Sequence, residues 1–327
     1  ISATTIEGGV IYNNDSEGIS ANISDIYGES LLNNYVTSTS GSIYGGLIHN
    51  SAYGDNSSAI IDNISGQISN NIVNSSNSLY GGLVYNYSGS MMQSEDSNVI
   101  PSDYEHARIN NISVEVSNNI ISADTIEGGV IYNTDSIGNI SINIHDNIIS
   151  ATSESSTIQG GIIYNLRNIG QISGEITNNT ITANKVNGSV LFNLGSIGLG
   201  DLLIANNISS KDSAAIHQVR GVIDIIGNTT LTNNMSAGEY VDICNYSRIN
   251  LLENSSLTVT GSITGSRKTS AIPMYGKWYG VINMNKNSVL NSANLIMGQD
   301  INMDDSTLNL FSFTQSDGTT TYGRMDL

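Results

Sequence analysis

The chain has 327 residues and a formal net charge of −18, which sets it against nucleic acid and anionic membrane surfaces, both of which it would repel. Hydrophobic residues make up 39%, enough for a core, but charged residues are only 12%, so the outer surface must be mostly Ser, Asn, Thr and Gly. Cys244 is the one cysteine, which rules out an intrachain disulfide, and no apolar run approaches the length of a transmembrane helix.

The opening Ile1-Ser2-Ala3 recurs inside a module as Ile149-Ser150-Ala151, and no basic-then-apolar leader stands before it. The chain therefore reads as a fragment of something longer. The phrase Gly8-Gly9-Val10-Ile11-Tyr12-Asn13 follows and returns as Gly45-Gly46-Leu47-Ile48-His49-Asn50 and Gly81-Gly82-Leu83-Val84-Tyr85-Asn86. It continues as Gly128-Gly129-Val130-Ile131-Tyr132-Asn133, Gly160-Gly161-Ile162-Ile163-Tyr164-Asn165 and Gly188-Ser189-Val190-Leu191-Phe192-Asn193. Arg220-Gly221-Val222-Ile223 reads as a seventh, eroded copy. The intervals are 37, 36, 47, 32 and 28 residues, the spacing of a solenoid.

A second phrase is clearest at Ile169 to Asn179, with related copies at Ile137 to Asn147, Ile109 to Asn119 and Ile60 to Asn71. A third phrase, such as Ile148-Ile149-Ser150-Ala151-Thr152, leads to the next Gly pair. Ile172 and Ile176 fit an alternating strand. A helix is disfavoured because the residues between are Ser, Asn, Gly and Thr and the apolar ones are β-branched. Three short strands per module, all turning the same way, give an all-β, parallel β-solenoid of about ten or eleven coils and a length of order 50 Å. Stacking then brings Asn33-Asn34, Asn70-Asn71, Asn118-Asn119, Asn178-Asn179 and Asn206-Asn207 to one corner, where inward amides form a ladder.

The Gly-Gly strand sets a puzzle. Val10, Leu47, Leu83, Val130, Ile162 and Val190 form one apolar column, and the residues after them form a second. Adjacent strand residues point to opposite faces, so one column is expected outside the coil. In the preferred arrangement the tyrosines point in and a loop covers the outer aliphatic column. In the alternative, Tyr12, His49, Tyr85, Tyr132 and Tyr164 form a docking stripe along one flank. Between the third and fourth copies, residues 90–106 break the pattern with proline and mixed charge. They read as an extruded loop, whose candidate binding residues are Met91, Met92, Glu95, Asp96, Asp103, Tyr104 and His106. Residues 1–221 form the regular repeat and residues 222–327 a plainer continuing shaft, with strands around Leu257–Ile263 and Ser306–Phe311 and a turn at Asp304-Asp305.

These phrases resemble the passenger domains of bacterial autotransporters, the type V secretion family, whose adhesins carry Gly-Gly-Ala-Ile-Tyr-Asn repeats. They are more distantly similar to chlamydial polymorphic outer-membrane proteins. The match covers residues 1 to about 200 and departs from the family in having Val, Leu or Ile where Ala is usual. The resemblance implies a right-handed parallel β-helix displayed extracellularly on the bacterial outer membrane or released. It also implies an adhesin that binds a host or surface glycan or protein.

Enzymes of this fold class place paired carboxylates on neighbouring coils. The column before the Gly pair reads Glu7, Tyr44, Tyr80, Glu127, Gln159, Asn187, Arg220, and its two Glu residues lie three modules apart, too far for that chemistry. His49, His106, His145 and His217 are expected at different module positions, unable to gather a metal by stacking. The residues thus point to a non-catalytic passenger with no cofactor and no metal, and no membrane insertion by this fragment. Its expected role is adhesion through the loop or the flank, with self-association of copies or a plain stalk as alternatives. A polysaccharide-degrading enzyme is the less favoured reading.

Overall fold

Each module carries a set of β-branched residues that one coil cannot bury alone, so neighbouring coils stack and bury them together. The computed structural model describes residues 1–15, 20–53, 57–89, 107–211, 213–237, 241–265, 280–296, 299–314, 320–321 and 324–325. Every regular element among them is a strand. The coil around the fourth Gly pair shows the plan, with strands Ile120–Ala123, Thr125–Glu127, Ile131–Asn133 and Ser136–His145. We refer to these positions as columns A, B, C and D. Each pairs in parallel with its equivalent one coil on, as Ile120 with Ile148, Ile126 with Ile158, Ile131 with Ile163 and Ile140 with Ile172. The chain is a parallel β-solenoid.

All three runs read from the sequence are present, and the third is bent into two short strands, columns A and B. The copy of the second phrase begins at Ile61 rather than Ile60, because Ile61 pairs with Ile109. In column D both Ile137 and Ile140 are buried, so the alternation breaks between them and the strand bends there. Beyond the bend Ile140, Ile142 and Ile144 point inward, alternating with Ser141 and Asn143.

Column D stacks from Ala21–Leu32 to the segments Gln299–Met303 and Thr307–Leu310, a height of ten coils. Nine spacings of about 4.8 Å give a rod of roughly 43 Å. Column B ends at Lys185–Asn187 and column A at Met235–Ser236, so the later coils have a simpler outline.

The Gly-Gly turn corrects the expectation that one aliphatic column lies outside. Val130 and Ile131 are both buried, as are Leu47 with Ile48 and Ile162 with Ile163. The first glycine of each pair is left-handed, with φ +63° at Gly128, and the strand begins only at Ile131. Val130 therefore sits in the bend, where strand alternation does not apply, and both side chains reach the core. Tyr132 is the residue that faces out. The seventh copy is also corrected. Ile216-His217-Gln218 pairs with Leu191-Phe192-Asn193, whereas Val222–Ile225 pairs with Ser196–Leu199 in column D. Ser213-Ala214 stands where the Gly pair would be, with Ala215 in the place of Val190, while Gly221 lies in the following turn.

Two corners are held by buried amide ladders. At the corner between D and A, the side chain of Asn119 donates to Asn147 Oδ1 at 2.8 Å, Asn147 to Asn179 at 2.9 Å, and Asn179 to Asn207 at 2.9 Å. The residue before each is left-handed, as at Asn118 and Asp146, which suits the short polar side chains found there. Asn207 continues to Asn234 at 3.0 Å, and Asn234 donates to Asp242 at 2.9 Å.

Asp242 is 1% exposed, and burial raises its carboxyl to about 6, against the opposing hydrogen bonds from Asn234 and the Gly261 N–H. A carboxyl raised on folding keeps its proton in the native state while the unfolded chain has already lost it. Stability therefore falls as pH rises from about 4 to about 6 and stays low above that. Moving from pH 7 to pH 4 is expected to gain on the order of 3 kcal/mol from this group. Denaturant midpoints measured across that window check it, and Asp242→Asn should remove this part of the pH dependence.

Candidate functional site

Column C builds a ladder of rings along the outside of the rod. Ring centroids are 4.9 Å apart for Tyr12 and His49, 4.8 Å for His49 and Tyr85, and 5.2 Å for Tyr85 and Tyr132. The ladder continues through Tyr164 at 5.1 Å, Phe192 at 5.4 Å and His217 at 5.4 Å. The Tyr85, Tyr132 and Tyr164 rings lie nearly parallel, with interplanar angles of 6° and 9°. Their faces are spent on one another. Although they point outward, Tyr85 is only 4% exposed and Tyr164 8%, while Tyr12 at the end of the row is 49% exposed. Burial, helped by neighbouring phenols and carboxylates, raises the hydroxyl pKa of Tyr85, Tyr132 and Tyr164. The predicted flank stripe thus exists on the outer side, but most of it is closed by its own stacking.

The Gly-Gly turn makes this flank concave. Column B presents Glu7, Tyr44, Tyr80, Glu127, Gln159 and Asn187 in register on the other side of the turn. Arg220, expected in this row, instead follows the seventh column C strand. Tyr44 and Tyr80 stack at 5.1 Å and 7°, and each meets a column C ring edge-on, Tyr44 with Tyr85 at 5.6 Å and Tyr80 with Tyr132 at 5.5 Å. The hydroxyl of Tyr12 donates to Glu7 Oε2 at 3.1 Å. Glu127, half-buried, is raised by desolvation. Glu7 and Glu127 are three coil steps apart, about 14 Å, beyond the roughly 5–10 Å that paired-carboxylate hydrolysis needs.

His49 and His217 share column C, contrary to the expectation that every histidine has its own module position. They remain five coils apart. Both are neutral at physiological pH, since burial lowers His49 and lowers His217 to about 4, the latter aided by the charge of Lys185. His145 lies on column D against Asp146 at 2.8 Å and Glu115 at 3.5 Å. Among the described residues no group of three or more His, Cys, Asp or Glu side chains is placed to hold a metal. A cleft of about 400 Å³ at the first coil contains one carboxylate, Asp25. A cleft of about 230 Å³ near His217 and Cys244 is lined by no carboxylate.

The loop candidates Met91, Met92, Glu95, Asp96, Asp103, Tyr104 and His106 lie outside the described residues. Their stems do not: column C ends at Ser88 and column D resumes at Ala107, so the insertion joins these two columns.

Column A carries a surface that the Gly-Gly and Asn motifs do not mark. Tyr35, Ile72, Ile120, Ile148, Thr180, Ile208 and Met235 stand in one register on its outer side. Tyr35 is 58% exposed, Ile72 37%, Ile120 and Ile208 43%, and Ile148 48%. No strand of this column contains a charged residue, in a chain of net charge −18. The doublets Ile120-Ile121 and Ile148-Ile149 held the signal, because one of two adjacent strand residues must face out.

No protein-family model matches the chain, and no curated protein or solved structure matches it either.

Proposed function

We propose that this solenoid is a non-catalytic, adhesive segment of a surface-displayed autotransporter-type passenger, and that it acts by lateral association with other copies of itself. The observation that carries this reading is the outer face of column A, an exposed isoleucine row without a single charge. Two such faces approach without like-charge cost, and a two-fold arrangement sets the same row of one copy on that of the next. Columns B and D, by contrast, carry carboxylates such as Glu127, Glu115 and Glu175, which repel on contact with their like.

The magnitude fixes the mode. Eight strands of two to four residues, about 7–13 Å long and about 4.8 Å apart, offer a footprint on the order of 400 Å² per copy. That is below the roughly 800 Å² per partner of a standard stable interface, so one pair is weak and transient. Rods tethered on one surface gain from effective concentration, and many weak contacts then hold. Sedimentation across a concentration series is expected to show association that strengthens with salt, as the overall repulsion is screened. Ile120→Lys with Ile148→Lys should keep the fold and abolish association. A wild-type monomer at every concentration and salt, or association untouched by the double substitution, overturns the proposal.

A further inference from the structure

A second surface, independent of column A and on a different flank, has chemistry of its own. In the groove beside the Gly-Gly turns, Glu7, Tyr44, Tyr80 and Glu127 occupy four successive coils. Tyr44 and Tyr80 are stacked almost in parallel, so the two outer faces of the pair are turned along the row, one toward the coil of Glu7 and one toward that of Glu127. Among the described residues the Glu127 carboxylate has no hydrogen-bond or ion-pair partner, although it is half-buried against Tyr80 and Tyr132. A carboxylate withdrawn from water without a partner is costly, and a phenol ring cannot compensate it, since the ring face is itself negative. The group that satisfies both is an organic cation, attracted by the carboxylate and by the ring face together.

We infer that this groove binds a linear polyamine, with one ammonium group between Glu7 and Tyr44 and another between Tyr80 and Glu127. The two positions lie about 10–14 Å apart along the coil repeat, which suits a triamine or tetraamine and not a single ammonium ion. The methylene segments then run past the edges of Tyr44 and Tyr80. The repeats favour no such row elsewhere in column B, because Gln159 and Asn187 continue it without charge or ring.

The test is calorimetric titration of the whole chain with spermine at fixed ionic strength, beside putrescine and Mg²⁺. Wild type is expected to bind spermine saturably at one site, with putrescine at least tenfold weaker. Glu127→Gln, which keeps shape and fold, should weaken spermine at least tenfold, and Tyr80→Leu similarly. Glu175→Gln, which removes an exposed charge on column D, should change nothing. Equal losses from Glu127→Gln and Glu175→Gln, or Mg²⁺ competing as well as spermine, would show only general attraction to an acidic rod and sink the assignment. Because column A is untouched by these substitutions, their outcome is read separately from self-association.

Discussion

Asn133→Ala is expected to destabilise the solenoid by about 4 kcal/mol or more, far beyond the loss of one side chain's contacts. The Asn133 amide donates to Asn165 Oδ1 at 2.9 Å and to the carbonyls of Asp135 at 3.0 Å and Asn168 at 3.1 Å. Its own oxygen accepts from Asn86 Nδ2 at 2.8 Å and from the Asp135 N–H at 3.3 Å. Of these partners Asn86, Asp135 and Asn165 are buried, between the ring ladder on one side and the isoleucine core on the other. Removing the side chain breaks all five bonds at once. Asn86 keeps the Ala107 and Ser136 carbonyls and the Asp135 carbonyl keeps the Asn168 N–H, but each buried polar group that is left unpaired costs roughly 1–3 kcal/mol. The ladder from Asn13 to Gln218 runs through this rung, so its loss also weakens the coupling between coils on either side, and coupling is what makes a stacked array unfold as one. Denaturant unfolding of the variant should therefore come early and in two steps. The exposed Asn139, one bend away, is the control, and its alanine variant should stay within about 0.5 kcal/mol of wild type. Equal effects at the two positions would remove the ladder from the account of stability.

Much of this was legible because stacking copies one residue's environment into the next coil. The repeated Asn pair announced the ladder at the D–A corner, and the structure extends it through Asn147 and Asn234. The Asn that closes each Gly-Gly phrase announced a second ladder equally, but it was masked by the more conspicuous Tyr beside it. The two aliphatic columns are both buried, against the expectation from strand alternation, for a physical reason. Alternation does not carry across a left-handed glycine, where the backbone is not a strand. The seventh coil lies at Ile216 and not at Val222 because Ser213-Ala214 carries no glycine marker, and register there is visible only in the pairing of Ile216 with Leu191. The site was less legible than the fold. The tyrosines of column C, expected to point in, turn outward instead, and whether stacked rings leave any face open depends on interplanar angles that no spacing encodes. The exposed row of column A was written in the Ile-Ile doublets, and the groove carboxylate Glu127 gained its meaning only once Tyr80 and Tyr132 were seen on either side of it.

The largest effect from a single methyl group is expected at Gly128. It has φ +63°, as Gly8, Gly45, Gly81, Gly160 and Gly188 have φ between 59° and 65°, a conformation that costs an L-residue about 1–2 kcal/mol. A Cβ there would also run into the carbonyl of Ile131 and press on Tyr132 Cα, both backbone and so unable to swing away. Gly128→Ala should cost on the order of 3–5 kcal/mol. The neighbouring Gly129 sits beneath the backbone of Gly161, yet the sixth coil tolerates Ser189 at the same place, where its hydroxyl reaches the Ala214 carbonyl at 3.4 Å. Gly129→Ser is therefore expected to cost less than half as much as Gly128→Ala, although it adds the larger side chain. The natural sequence supports the order of the two positions. All six coils that carry column B keep the first glycine, and where the seventh coil has Ser213 instead, the B strands stop at Lys185–Asn187. The left-handed turn is what lets the chain double back from column B into column C, and with it goes the concave flank. Thermal or denaturant midpoints of the two variants decide the matter, and a Gly129→Ser variant less stable than Gly128→Ala would mean that packing between coils, not the turn, is the governing constraint.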